Sequence, residues 1–145
     1  MPHVYTARNT AAHSTAITIL QLGTAAGHPI EILRGWVTQA TSTTSAQTHV
    51  QLLRESNAIT GTGVTEIEHD TDGPASTVTA LHTATAGGTD GDVIIQEGFN
   101  VLNGWLYLPV PEERIWVPVS SFISIAFPDA PPNVTYDYGL TWREY

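Results

Sequence analysis

The sequence predicts an all-β fold: a single-domain antiparallel β-sandwich or jelly-roll-like barrel over residues 14–145, preceded by a short N-terminal arm over residues 1–13. Three observations lead there. Apolar side chains recur with a period of two in most segments, as expected of strands with one buried face. Clusters of Gly, Pro, Asn, Asp, Ser and Thr interrupt these segments at intervals that suit short strands. No segment has a convincing helical period, and no unit of roughly 20–50 residues repeats, which sets aside solenoids and propellers.

In chain order, the arm has few large apolar residues and ends in Thr10-Ala11-Ala12, so it is expected to contact a neighbour instead of finishing its own core. Ile17 and Ile19 begin the first strand of the sandwich, Ile30 and Ile32 lead into Leu33 and Trp36, and Val50, Leu52 and Leu53 form a third run. Thr44 to Ser56 also fits a helical spacing through Ala46, Val50 and Leu53, but strand is the preferred reading. From Ser76 to Ala86, Thr77, Thr79, Thr83 and Thr85 share one face and Val78, Ala80 and Ala84 the other. Leu106, Leu108 and Val110 oppose Trp105 and Tyr107; Ile115, Val117 and Val119 oppose Arg114, Trp116 and Pro118; Ile123, Ile125 and Phe127 follow. The clearest strand is the last, where Val134, Tyr136, Tyr138, Leu140 and Trp142 alternate with Thr135, Asp137, Gly139, Thr141 and Arg143. Asn103-Gly104, between apolar runs, predicts a hairpin through a type I′ turn, since both residues tolerate positive φ.

Composition narrows the function. The 145 residues are 41% apolar, enough for one compact domain, but only 13% are charged, against about 25% in an average soluble domain. Fourteen acids oppose five basic residues, all Arg (Arg8, Arg34, Arg54, Arg114, Arg143), for a net charge of -9. Scattered Arg without Lys argues against nucleic acid and anionic lipid as partners. Without Cys there are no disulfides, thiol catalysts or thiolate metal sites, so stability comes from packing or assembly. No apolar run reaches the roughly 18 residues of a membrane span, and Met1-Pro2-His3-Val4-Tyr5 lacks the features of a signal peptide, so synthesis in a cytoplasm is expected.

No residue set stands out as catalytic. The six His (His3, His13, His28, His49, His69, His82) fall in no metal-ligand spacing, and surface or turn positions are the plainer reading. Asp70 and Asp72 are candidate Ca²⁺ ligands, although an EF-hand loop starting at Asp70 needs Glu at its twelfth position, where Leu81 stands. Glu112 and Glu113, as strand neighbours, point to opposite faces and cannot flank one glycosidic bond; a Pro-Glu-Glu turn explains them. Trp36, Trp105, Trp116 and Trp142, with Tyr107, Tyr136 and Tyr138, offer a sugar-stacking platform or, alternatively, core and interface anchors. The alternation sends Trp142 to the core and Trp116 outward.

The chain resembles a family of small virion proteins of tailed bacteriophages, the capsid decoration (cement) proteins. The resemblance is carried by Val4-Tyr5-Thr6, by Pro29 to Val37, by Leu52-Leu53-Arg54 with the Gly61-Thr62-Gly63 turn, and above all by Gln96-Glu97-Gly98-Phe99-Asn100-Val101 through Pro109-Val110-Pro111-Glu112-Glu113-Arg114. It implies a non-enzymatic β-sandwich without a cofactor that forms a homotrimer on the outside of an icosahedral head, where it clamps neighbouring subunits of the major capsid protein. A departure is the lack of Lys and the scarcity of exposed charge, which leaves the capsid-facing patch unidentified. Interface candidates are His3, Val4, Tyr5 and Arg8 in the arm, with Trp105, Arg114 and Trp116. The alternatives are a tail or baseplate accessory protein, and a carbohydrate- or receptor-binding module on the virion.

Overall fold

Twelve strands and one 3₁₀ turn make up the chain, described over residues 2–145 by a computed structural model. The strands are β1 (His3–His13), β2 (Thr18–Gly23), β3 (Ile30–Gln39), β4 (Gln47–Glu55), β5 (Ile59–Gly63), β6 (Ile67–Glu68), β7 (Thr79–Gly87), β8 (Asp90–Asn100), β9 (Trp105–Tyr107), β10 (Ile115–Val117), β11 (Phe122–Ala126) and β12 (Val134–Glu144). The 3₁₀ turn covers Pro111–Glu113.

All pairings are antiparallel, and they form two sheets packed as a β-sandwich. Sheet I has the order β10-β3-β12-β1-β6, with β9 also pairing β3; sheet II has the order β5-β7-β2-β11-β4-β8. The ambiguous Thr44 to Ser56 segment is a strand, β4.

β12 shows why these residues form these strands. Its inward positions Tyr136, Tyr138, Leu140 and Trp142 are fully buried, while Thr135, Asp137 and Arg143 on the other face keep partial exposure. They pack with Leu20, Leu22, Val50, Leu52, Ile123 and Ile125 of sheet II in one hydrophobic core. Each such side chain contributes about 1.5–3 kcal/mol on leaving water. Trp142 also stacks on Tyr5, with ring centroids 5.9 Å apart.

The expected N-terminal arm does not exist as a separate element. Residues 3–13 are β1, which pairs with β12 along its whole length, and Tyr5 (2% exposed), Ala7 and His13 (3%) complete the chain's own core. Met1, the first residue of that expected arm, lies outside the described residues. His13 sits among Phe127, Tyr136 and Tyr138, its Nε2 3.1 Å from the Tyr138 hydroxyl. Burial, reinforced by nearby His82, pushes its pKa down to about 4.

Two local expectations also change. Asn103-Gly104 does not close a hairpin, because β8 pairs with β4 in sheet II and β9 with β3 in sheet I. Only Gly104 has positive φ (+77°), and the turn is organised by Asn100, whose Oδ1 accepts from the Leu102 amide and whose carbonyl accepts from the Asn103 and Gly104 amides. In β7 the expected alternation stops at Thr83, which takes φ +55°. The side chains beyond it therefore leave the faces set by Val78 and Ala80.

The two outer faces differ. On sheet II, Gln21 alternates with core Leu20 and Leu22, yet it is buried: its amide donates to the Asn57 carbonyl (3.1 Å) and its Oε1 accepts from the Ile59 amide (3.0 Å). The β4–β5 turn thus covers that side, with Glu55 buried and bonded by Thr18 beside it. On the outer face of sheet I, Arg8, Arg34, Leu106 and Trp116 are exposed.

Candidate functional site

The antiparallel register lays residues of different strands in rows across the outer face of sheet I. One row runs Leu106, Trp36, Gly139, Arg8 across β9, β3, β12 and β1. The next holds Arg34, Thr141 and Thr6, with the two threonine hydroxyls 2.8 Å apart. Nearer the end of β12 come Trp116, Glu31, Arg143 and Val4.

Two sequence details aim these residues. A register shift at Thr141/Trp142, with Leu33 as the unpaired β3 residue, keeps Ile32 and Gly35 both inward, so Glu31, Arg34 and Trp36 face out. At Gly139 a Cβ would lie 2.4 Å from the Trp36 ring, so only glycine lets the indole lie flat across β12. The Arg34 guanidinium sits 4.8 Å from the centre of that ring.

The electrostatics are asymmetric. Glu31 Oε2 accepts from the Tyr145 hydroxyl (3.1 Å) and lies 3.3 Å from Arg143 and 3.8 Å from Arg114. Asp137 is engaged by the Thr10 hydroxyl. Arg8 and Arg34 form no ion pair among the described residues. This face therefore gathers Arg8, Arg34, Arg114 and Arg143, four of the five cations, with Glu31 and Asp137 as the outward acids of its strands; Glu68 and Glu144 stand at positions of the opposite face. The fifth, Arg54, donates to the Trp116 carbonyl (3.0 Å) at the rim. Trp116 is 48% exposed and packs on Tyr145, ring centroids 5.3 Å apart. Leu108 and Val110 extend exposed apolar surface beyond Leu106.

The interface candidates divide accordingly. Arg8, Arg114 and Trp116 lie on this face. Tyr5 does not: its ring is core and its hydroxyl donates to the Pro74 carbonyl (2.7 Å). Trp105 is also withdrawn, at 5% exposure, because its indole N–H donates to Glu97 (2.8 Å) and its ring stacks on Tyr107. Val4 shares this face but is half-buried, and its carbonyl accepts from the His69 amide, while His3 pairs with Glu68 at 3.2 Å. The seven-ring stacking platform is likewise dismantled, since Trp142, Tyr136, Tyr138, Trp105 and Tyr107 are buried and only Trp36 and Trp116 reach the outer face. Asp70 accepts from the Asp72 amide (3.4 Å), and no group of three or more His, Cys, Asp or Glu suited to a metal ion forms among the described residues. Glu112 and Glu113 are exposed in the 3₁₀ turn.

Arg34, Arg143, Leu106 and Tyr145 escape the sequence reading. Arg34-Gly35-Trp36 did carry a usable signal, because residues two apart in a strand share a face. No protein-family model, curated protein or solved structure matches the chain.

Proposed function

We propose that this protein is a non-enzymatic structural component of a tailed-phage virion, of the head decoration type, made in the host cytoplasm and docked on the outer surface of the capsid as a homotrimer. The observation that carries the reading is the outer face of sheet I: a broad, open sheet surface on which Arg, Trp and Tyr side chains converge in a charge-poor chain. Arg, Trp and Tyr are the residue types that dominate binding energy at protein interfaces. A surface rich in Thr and Ser elsewhere costs little to dehydrate when covered, compared with ionised side chains. The resemblance of the segments around Phe99 and Glu112 to decoration proteins supports a place on the head. A protein that binds only the assembled shell stabilises it by mass action, and symmetry multiplies weak contacts into avidity.

The experiment is cosedimentation of purified protein with expanded heads that lack it, followed by heating. Saturable binding and heads that withstand higher temperature or lower salt are expected. Heads equally robust with and without the protein overturn the proposal.

A further inference from the structure

We infer that the outer face of sheet I docks on a carboxylate-bearing protein surface, with Arg8 and Arg34 as the charge contacts on either side of the Trp36 plate. The inference rests on the reading of this face as a docking surface and names the chemistry of what covers it. Charge complementarity selects the partner. Four arginines face two outward carboxylates, Glu31 and Asp137, which leaves an excess of positive charge; Arg114 and Arg143 share Glu31, whereas Arg8 and Arg34 have no ion pair among the described residues and line one groove with Asp137, whose carboxylate accepts from the Thr10 hydroxyl. Arg8 and Arg34 are both exposed, and they line this groove of about 680 Å³ together with Trp36, Thr38 and the Gly63-Val64 segment.

Register fixes their separation. Arg34 stands opposite Thr141 on β12, which stands opposite Thr6 on β1, two residues from Arg8. Two inter-strand steps and one two-residue step place the two Cα atoms roughly 12 Å apart. That suits two separate carboxylates, each taken in the bidentate geometry guanidinium groups favour. An extended chain spans a similar distance between residues i and i+4, at roughly 3.3 Å per residue.

The apolar part of the face selects polypeptide over other polyanions. Trp36, Leu106 and Trp116 lie in the same rows as the arginines and need apolar partners interleaved with the acids. Aspartate- and glutamate-bearing protein surfaces supply that mixture, whereas a phosphate backbone does not. The net charge of -9 opposes nucleic acid at long range, but beyond roughly 8 Å at physiological ionic strength such repulsion is screened and the local face governs contact.

Poly-L-glutamate is the probe, with polygalacturonate and duplex DNA as alternative polyanions, read by the four indole N–H signals in two-dimensional NMR. Trp142 and Trp105 are buried and serve as internal references for the fold. Poly-L-glutamate should shift the Trp36 signal, the shift should fade in high salt, and Arg8→Gln combined with Arg34→Gln should weaken binding about fivefold or more, as expected from losing two exposed ion pairs. No Trp36 shift, a shift unaffected by the double variant, or a stronger response to polygalacturonate or DNA overturns the inference. Cosedimentation with heads by a protein that ignores poly-L-glutamate leaves the proposed function standing and removes this inference alone.

Discussion

Acidification from pH 7 to pH 5 should destabilise this protein chiefly through His13. In the fold its pKa lies at about 4, against 6.5 for the free side chain, because the ring is 3% exposed among Phe127, Tyr136 and Tyr138. The unfolded chain takes up the proton as pH falls below 6.5, while the folded chain resists it until about pH 4. Stability is therefore fully present above the unfolded value and is lost as pH drops through this window, at a limiting slope of about 1.4 kcal/mol per pH unit. Integrating the two titrations from pH 7 to pH 5 gives about 2 kcal/mol, a large part of the roughly 5–15 kcal/mol that holds a domain together. Urea unfolding at both pH values, on the wild type and on His13→Gln, isolates the effect. The Gln variant keeps a polar group near the Tyr138 hydroxyl and removes the titration. Its pH-dependent loss should be smaller than that of the wild type by about 2 kcal/mol. Equal losses in the two proteins would show that His13 does not set the acid sensitivity.

Three further outcomes follow from the packing. Gly139→Ala should destabilise by about 1–3 kcal/mol and change Trp36 fluorescence, because the new methyl meets the ring and the Ala7 carbonyl; a neutral result in urea unfolding would show that the indole does not lie over β12. Removal of residues 2–13 should abolish cooperative unfolding by circular dichroism, since it strips β1 from the whole length of β12; a truncated protein with normal melting would restore the picture of a free arm. Trp105→Ala should cost about 3–5 kcal/mol and Trp116→Ala about 1 kcal/mol or less, reflecting core and surface positions; thermal melts that reverse this order would contradict the assignment.

The architecture was legible where one physical signal dominated. β12 alternates large apolar and polar residues over its length, and period two leaves no other reading. Most of β1 read as an arm because, between inward Tyr5 and His13, its inward residues are small where those of β12 are large: Ala7 stands opposite Leu140, and Ala11 opposite Tyr136. Such complementarity across strands appears only when the register is known. The same holds for Trp105, whose N–H finds its acceptor in Glu97 on β8, a strand of the other sheet. Residue types identified Arg8, Arg114 and Trp116 as surface, but their convergence with Arg34 and Trp36 needed sheet order, which strand count does not encode. The β3 register shift that turns Arg34 and Trp36 outward is a backbone irregularity that period-two reading passes over.

We propose that sheet I presents the docking face of a capsid decoration protein. A reconstruction of expanded heads saturated with this protein, at a resolution that resolves strands, tests it most directly. Protein density is expected on the outer capsid, with the β9-β3-β12-β1 face against the shell and capsid carboxylates beside Arg8 and Arg34. Density showing that face turned to solvent, or no ordered protein on the head, would contradict it.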